Sequence, residues 1–178
     1  MGKTPLMMQR IGPRRRVLVW DMKNQYPGEF GFERVRPGDL MERMKQGGGR
    51  LSVCSHDPRH FEHVCMLAYW WGRCTMVAEE LADVTRPGKA PLSWGVLLRR
   101  GAFRQVEVFA VSQRPTECDT TIFGSRSYTA CFFMPRREDR EKMAKELDID
   151  RARLDVLKPL EYVERGGNGA ARRCKLRF

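Results

Sequence analysis

Apolar and polar residues follow each other along the chain in blocks that predict strands and helices in turn. Short continuous apolar runs, bounded by Gly, Pro or charged residues, are typical of strands buried on both faces. They predict strands at 17–21, 50–54, 74–78, 106–115 and 127–134. Segments with the apolar period of a helix lie between the strands, at 58–71, 93–105 and 137–147, with shorter ones at 5–10, 39–45, 150–158 and from Thr116.

Strands that alternate with helices predict an α/β fold, a mostly parallel sheet with helices on both faces. The 178 residues fit a single domain. Within it we expect residues 1–158 to form the α/β core. Residues 159–178 predict a basic β-hairpin that turns at the glycine-rich segment 166–169.

Polar side chains end three of the predicted strands. Asp21, the pair Glu79-Glu80 and the pair Gln113-Arg114 all follow apolar runs. In parallel α/β sheets the ligand sits at the carboxyl ends of the strands. Burying two adjacent carboxylates there costs several kcal/mol unless a cation offsets them. A metal ion that carries phosphates would explain the pair, and the alternative is an acidic helix N-terminus.

Gly2-Lys3-Thr4 looks like the last three residues of a P-loop, G-x-x-x-x-G-K-[ST]. In that motif backbone N–H groups wrap phosphates, the lysine reaches the β/γ oxygens and the hydroxyl joins the Mg²⁺ shell. The first glycine and the preceding strand are absent. We therefore expect that Met1 is an internal residue and that the sheet lacks its first, central strand. The alternative is that these residues are an ordinary translation start.

These motifs together resemble the FtsK/HerA superfamily of DNA-pumping P-loop ATPases, of the viral genome-packaging type. Glu79-Glu80-Leu81-Ala82-Asp83 is similar to the family's Walker B signature D-E-L-A-D, with Glu79 in place of Asp. The segment 111–115 is similar to the A-T-Q-R-P strand tip, and the segments 17–21 and 26–28 are similar to the second strand and its loop. The resemblance covers residues 2–136 and implies a three-layer, RecA-like P-loop NTPase fold.

The resemblance also implies roles for individual residues. Gly2, Lys3 and Thr4 would bind the phosphates of ATP, and Thr4 with Glu79 would hold Mg²⁺. Glu80 would polarise the attacking water and Gln113 would sense the γ-phosphate. An arginine finger is expected among Arg114, Arg126 and Arg136, with Arg126 as the catalytic candidate.

Charge and composition bear on partners and compartment. The formal net charge is +11, and arginine clusters make a polyanion the expected partner. With the resemblance, this implies double-stranded DNA and a homo-oligomer, in the form of a ring. Six scattered cysteines indicate a reducing compartment, and no apolar run is long enough to span a membrane. We expect a soluble protein of the host cytoplasm or the virion.

Other clusters have simpler interpretations. Cys54, His56, His60, His63 and Cys65 lack the tight paired spacing of a zinc site, and no zinc is expected. The aromatic run 69–71 suits core packing better than base stacking.

The function that the resemblance implies is ATP hydrolysis coupled to DNA translocation, for viral or mobile-element genome packaging or transfer. One alternative is a zonular-occludens-toxin-like ATPase for virion or filament assembly that pumps no DNA. Another is a nucleic-acid-binding fragment that does not hydrolyse ATP.

Overall fold

The computed structural model describes residues 2–167 and 169–177, which form eight strands and eight helices. In chain order these are α1 (Lys3–Ile11), β1 (Arg16–Trp20), α2 (Tyr26–Phe30), β2 (Glu33–Arg34), α3 (Leu40–Lys45), β3 (Gly49–Val53), α4 (Pro58–Trp71), β4 (Cys74–Ala78), α5 (Leu92–Arg100), β5 (Val106–Ala110), α6 (Thr121–Gly124), β6 (Tyr128–Phe132), α7 (Arg137–Leu147), α8 (Ala152–Asp155), β7 (Glu161–Gly166) and β8 (Arg172–Lys175). Short 3₁₀ turns occupy Leu81–Asp83, Gly101–Arg104 and Pro115–Glu117.

The first five strands form one parallel sheet in the order β2-β3-β1-β4-β5. Every residue of β4 is buried, as are all but the first of β1, because helices cover both faces of the sheet. This burial explains why these strands are continuous apolar runs in the sequence. The predicted α/β class and the mostly parallel sheet are confirmed.

The last three strands form a separate antiparallel sheet in the order β6-β7-β8. The predicted C-terminal hairpin is therefore present as β7 and β8, with residue 168 of its turn outside the described residues. The apolar run that predicts β6 gives no indication of its partner. In the structure β6 pairs with β7 and not with a strand of the parallel sheet.

An apolar groove of about 420 Å³ separates the two sheets. One side is lined by β5 and the other by β6, while helix α1 borders both. Met7 and Ile11 of α1 pack against the parallel sheet, and Leu6 packs with Phe132 of the second sheet. Only Val106 of β5 and Cys131 and Phe132 of β6 are buried, whereas every residue of β4 is.

Several local elements differ from the sequence predictions. Asp39 precedes α3 as expected, but its side chain does not cap the helix and pairs with Arg36 instead. Helix α5 ends at Arg100, and a 3₁₀ turn replaces the rest of the segment predicted to be helical. The short elements α2 and β2 have no counterpart among the elements predicted from the sequence. None of the helices in the described part of the chain is long and apolar enough to cross a bilayer.

Candidate active site

The structure brings together six of the residues that the sequence singles out. They come from the amino end of α1 and the carboxyl ends of β4 and β5, which meet at one edge of the parallel sheet. The Thr4 hydroxyl donates to Glu79 Oε1 over 3.2 Å, and Gln113 Nε2 donates to Glu80 Oε1 over 2.6 Å. Gly2 and Lys3 precede Thr4 at the same helix end. Of the three strand tips expected to converge, those after β4 and β5 meet at this site.

Glu79 is buried directly after β4, with 6% of its surface exposed. Its Oε1 accepts hydrogen bonds from the Thr4 hydroxyl and from the Tyr26 phenol, the latter over 2.6 Å. Burial raises the pKa of Glu79 because it penalises the charged form, and the two hydrogen bonds only partly offset this. A nearby cation would favour the charged form.

Glu80 lies in a different environment, although it is the next residue. Its backbone has a φ of +48°, a left-handed conformation that is uncommon for a residue with a side chain. Its Oε1 accepts hydrogen bonds from the Lys23 ammonium and from Gln113. Burial acts to raise the pKa of Glu80, but these two hydrogen bonds outweigh it, and the net pKa is lowered. Glu80 is therefore held as a carboxylate, as a general base requires.

Helix α1 offers an anion-binding end. Gly2 precedes it with a φ of +112°, and the first turn contains no acidic residue. Free N–H groups and the helix dipole favour a negative ligand at such an end. Burial lowers the pKa of the neighbouring Lys3, while the charges of Glu80 and Glu79 act to raise it. Lys3 forms no ion pair within the described residues, so its charge is available to a phosphate.

The donor set at this edge fits Mg²⁺. Thr4 and Glu79 supply oxygen atoms, which this ion prefers, and Mg²⁺ is commonly bound by one or two such groups together with phosphate and water. No group of three or more His, Cys, Asp or Glu side chains that could hold a metal occurs in the described part of the chain. A cation here would therefore be held jointly by the protein, a bound phosphate and water.

The arginines proposed as fingers lie in contacts within the chain. Arg126 donates to the carbonyl oxygens of Phe123 and Glu146 and pairs with the Glu146 carboxylate at 2.8 Å. Arg114 pairs with the buried Asp139 at 2.9 Å and with Glu117. Arg136 is exposed. The structure does not place Arg126 in hydrogen-bonding contact with Glu80, and its catalytic role stays a prediction.

Asp21 is a strand tip that serves the fold and makes no contact with phosphate-binding residues. It is 1% exposed, and its carboxylate accepts hydrogen bonds from the backbone N–H groups of Gln25 and Tyr26 and from the Ser52 hydroxyl. These contacts fix the start of α2. The apolar run ending in Asp21 could not show this, because an acidic tip has the same pattern whether it binds a ligand or caps a helix.

Two residues of the site were not identified from the sequence. Lys23 lies between β1 and α2, and Tyr26 is the first residue of α2. Their contacts with Glu80 and Glu79 join residues more than fifty positions apart. The sequence indicates such partners only through the energetic cost of burying carboxylates. Two carboxylates at a buried strand end require donors, and the polar residues that follow the neighbouring strand β1 were the natural candidates.

We compared the sequence of this chain with known protein families and proteins. No protein-family model matches the chain. Protein P9 of Pseudoalteromonas phage PM2 is 29% identical over 192 residues, covering 99% of this chain and 86% of P9.

Solved structures share the fold at low sequence identity. The genome-packaging NTPase B204 of Sulfolobus turreted icosahedral virus 2, in complex with ATPγS, superposes with a TM-score of 0.74 at 9% identity, covering 98% of this chain and 87% of B204. The DNA-packaging ATPase B204 of Sulfolobus turreted icosahedral virus gives 0.70 at 12% identity, with the same coverage. The chain thus shares its α/β fold with viral genome-packaging NTPases and is similar along nearly its whole length to a phage PM2 protein, and this fold is the one that the resemblance of its motifs implies.

Proposed function

We propose that this protein is an ATPase of viral or mobile-element genome packaging that hydrolyses ATP at the edge of its parallel sheet and couples hydrolysis to the movement of double-stranded DNA. One observation carries the proposal. The lysine and threonine that begin α1 lie beside two consecutive carboxylates in different protonation environments, and Gln113 contacts the second carboxylate. The B204 structures, which share this fold, were solved with ATP analogues and support nucleotide as the ligand.

We propose a task for each of these residues. The N–H groups at the start of α1 and the Lys3 ammonium would bind the β- and γ-phosphates. Mg²⁺, held by the Thr4 hydroxyl and through water by Glu79, would neutralise charge on these phosphates. Lys23 and Gln113 both donate to Oε1 of Glu80, and no described residue donates to Oε2. Oε2 is therefore the oxygen that would accept the proton of the attacking water.

In the reaction a water attacks the γ-phosphorus in line with the bond to the leaving oxygen. The new bond joins the water oxygen to phosphorus, the bond to ADP breaks, and the water proton passes to Glu80. Lys3 neutralises charge that develops on the phosphate oxygens. Gln113 keeps Glu80 in place, because it contacts the carboxylate and lies at the end of the neighbouring strand.

DNA is proposed as the partner on the basis of charge. At the opposite, amino edge of the sheet, Arg14, Arg15, Arg16 and Arg73 line one surface depression. Arg14 pairs with Glu107, whereas the side chains of Arg15 and Arg73 have no hydrogen bond or ion pair within the described residues. Exposed guanidinium groups of this kind bind backbone phosphates without reading sequence. A homo-oligomeric ring around DNA, in the host cytoplasm or the virion, completes the proposal.

The proposal is tested by measuring steady-state ATP hydrolysis with and without double-stranded DNA. We expect Mg²⁺-dependent hydrolysis that DNA stimulates. Hydrolysis that is indifferent to DNA would instead support an assembly ATPase. Binding of DNA without hydrolysis at any nucleotide concentration would contradict the proposed enzyme and support a binding protein.

A further inference from the structure

The Tyr26 hydroxyl is buried beneath the proposed Mg²⁺ site. The tyrosine is 0% exposed, and its ring packs against Phe32 with 5.2 Å between ring centroids. It belongs to the apolar cluster between α1 and the parallel sheet, which also contains Val19 and Val77. A phenol in such surroundings needs a polar partner. That partner is Glu79 Oε1, at 2.6 Å, with the Met7 sulfur 3.7 Å away.

The position of Tyr26 is fixed from a neighbouring strand. Oδ2 of Asp21, after β1, accepts the Tyr26 backbone N–H at 2.9 Å and the Ser52 hydroxyl of β3 at 3.1 Å. A series of contacts, linked through the covalent bonds of the Tyr26 side chain, therefore joins Ser52 and Asp21 to Glu79 and Thr4. It crosses the carboxyl ends of three adjacent strands, β3, β1 and β4. The hydroxyl is held by packing and backbone contacts and cannot easily swing away.

Both donors to Glu79 bind the same oxygen. Tyr26 and Thr4 contact Oε1, and no residue in the described ranges donates to Oε2. This one-sided arrangement fixes the carboxylate plane and leaves Oε2 for the water shell of a cation.

The contact also accounts for the unusual glutamate. The motif that Glu79 resembles has aspartate at this position, whose side chain is one methylene shorter. Substituting aspartate would withdraw the carboxylate from the fixed phenol by roughly the length of one carbon–carbon bond, about 1.5 Å. A hydrogen bond of 2.6 Å would not survive that displacement. Glu79 and Tyr26 are thus matched in length.

We propose that Tyr26 is a positioning residue that orients Glu79 for Mg²⁺–nucleotide binding, and that the Tyr26–Glu79 pair takes the place of the shorter aspartate. The inference rests on the proposed function, because it assigns Glu79 to the metal shell. Hydrogen bonds to metal-binding side chains commonly contribute about 10- to 100-fold to metal affinity. We expect an effect of that size from the loss of the Tyr26 hydroxyl.

The test compares Tyr26→Phe with Tyr128→Phe, which removes an equivalent hydroxyl elsewhere. Tyr128 also donates to a carboxylate, that of Glu164, at 2.6 Å. Binding of a fluorescent ATP analogue is measured in EDTA and over a Mg²⁺ titration. Tyr26→Phe should raise the half-saturating Mg²⁺ concentration about 10- to 100-fold and leave binding in EDTA unchanged. Tyr128→Phe should resemble the wild type in both measurements.

A Glu79→Asp variant separates positioning from general damage to the fold. It should weaken Mg²⁺ binding, and adding Tyr26→Phe should weaken it little further, because the contact is already lost. Equal Mg²⁺ dependence in Tyr26→Phe and the wild type would overturn the inference about Tyr26 and would leave the proposed function standing. A loss of binding in EDTA as large as that in Mg²⁺ would show a merely structural role and would overturn it as well. A wild-type chain that shows no Mg²⁺-dependent nucleotide binding would overturn the proposed function together with the inference.

Discussion

Glu79 and Glu80 are adjacent residues whose surroundings shift their pKa values in opposite directions. Glu79 is buried beside the neutral hydroxyls of Tyr26 and Thr4, and its pKa is raised. Glu80 contacts the ammonium of Lys23, and its pKa is lowered. Because the backbone at Glu80 is left-handed, the side chains of these two adjacent residues lie in different surroundings. Opposite shifts within a pair of titratable groups indicate that the groups have different chemical tasks.

Gly2 is expected to be required for the close approach of α1 to the second sheet. A Cβ at this position would lie 2.6 Å from the Phe132 ring, and the φ of +112° is strained for any side chain. Gly2→Ala should therefore lower the free energy of unfolding by about 1–3 kcal/mol, measured by urea denaturation. Gly28→Ala is the control, because its Cβ position has no atom within 4 Å apart from its chain neighbours and the backbone of its own helix. Equal stability of the two variants would contradict the close approach of Gly2 to Phe132.

At the scale of elements, helix α1 joins the two sheets, and Glu164 of β7 is its polar anchor. Glu164 is 3% exposed and pairs with Arg10 of α1 at 2.8 Å and with Arg172 of β8 at 2.6 Å. Its carboxylate also accepts the Tyr128 hydroxyl of β6. One side chain thus connects α1 with all three strands of the second sheet.

The Glu164 contacts predict a pH-dependent contribution to stability. Burial acts to raise the Glu164 pKa, but the hydrogen bonds from Tyr128 and Arg172 outweigh it and leave the pKa below its ordinary value of 4.5. The stabilisation is therefore complete above pH 4.5 and is lost as the pH falls through the lower, folded-state pKa. Glu164→Gln should lower the free energy of unfolding by about 2 kcal/mol at pH 7, and the difference from the wild type should shrink in acid.

The control for this prediction is Glu141→Gln. Glu141 pairs with Arg137 on the surface of α7, where exposed ion pairs contribute little. Urea denaturation from pH 7 down to pH 3 gives the comparison. A Glu164→Gln difference that does not change over this range, or that equals the difference for Glu141→Gln, would refute the anchor.

Elements buried on both faces could be predicted from the sequence, and those defined by a distant partner could not. Helix α4 and strand β4 agree with their predicted bounds, because a continuous apolar run and a helical period each reflect local burial. The separate pairing of β6 with β7 depends on residues thirty or more positions apart, and the apolar run of β6 is the same for either partner. The two-residue strand β2 is too short to have a pattern.

The same limit applies to the site. Lys3, Glu79, Glu80 and Gln113 stand at element ends, where motif spacing is informative, and the structure brings them together. Tyr26 and Lys23 contact carboxylates that are distant in the sequence. Lys23 belongs to no motif, and the resemblance of the segment 26–28 to a family loop does not indicate the contact of Tyr26 with Glu79. The roles of all these residues in catalysis remain predictions.

At the scale of the whole molecule, the parallel sheet separates an acidic site from a basic one. Its carboxyl edge holds the two glutamates, and its amino edge holds the arginines that line one depression. A ligand at one edge is therefore separated from a ligand at the other by the length of the strands. Coupling between ATP and DNA in the proposed motor would have to pass through the sheet or through a neighbouring copy.

Replacing two arginines of the amino edge should weaken DNA binding selectively. In the double variant Arg15→Ala with Arg73→Ala, two phosphate contacts are lost. The slope of log affinity against log salt should become less steep by about 2. Fluorescence anisotropy with a DNA duplex at several salt concentrations measures it. The double variant Arg34→Ala with Arg86→Ala removes the same charge from exposed positions outside the depression. An equal change in both variants would indicate that only net charge matters.

The central claim is that this chain hydrolyses ATP with Glu80 as the base, and Glu80→Gln tests it most directly. ATP binding and single-turnover hydrolysis are measured for the wild type, Glu80→Gln and the control Glu107→Gln, whose side chain lies at the amino edge. Removing the base should lower the rate about 10²- to 10⁴-fold, with ATP affinity retained and Glu107→Gln unchanged. Hydrolysis at the wild-type rate in Glu80→Gln would contradict the account.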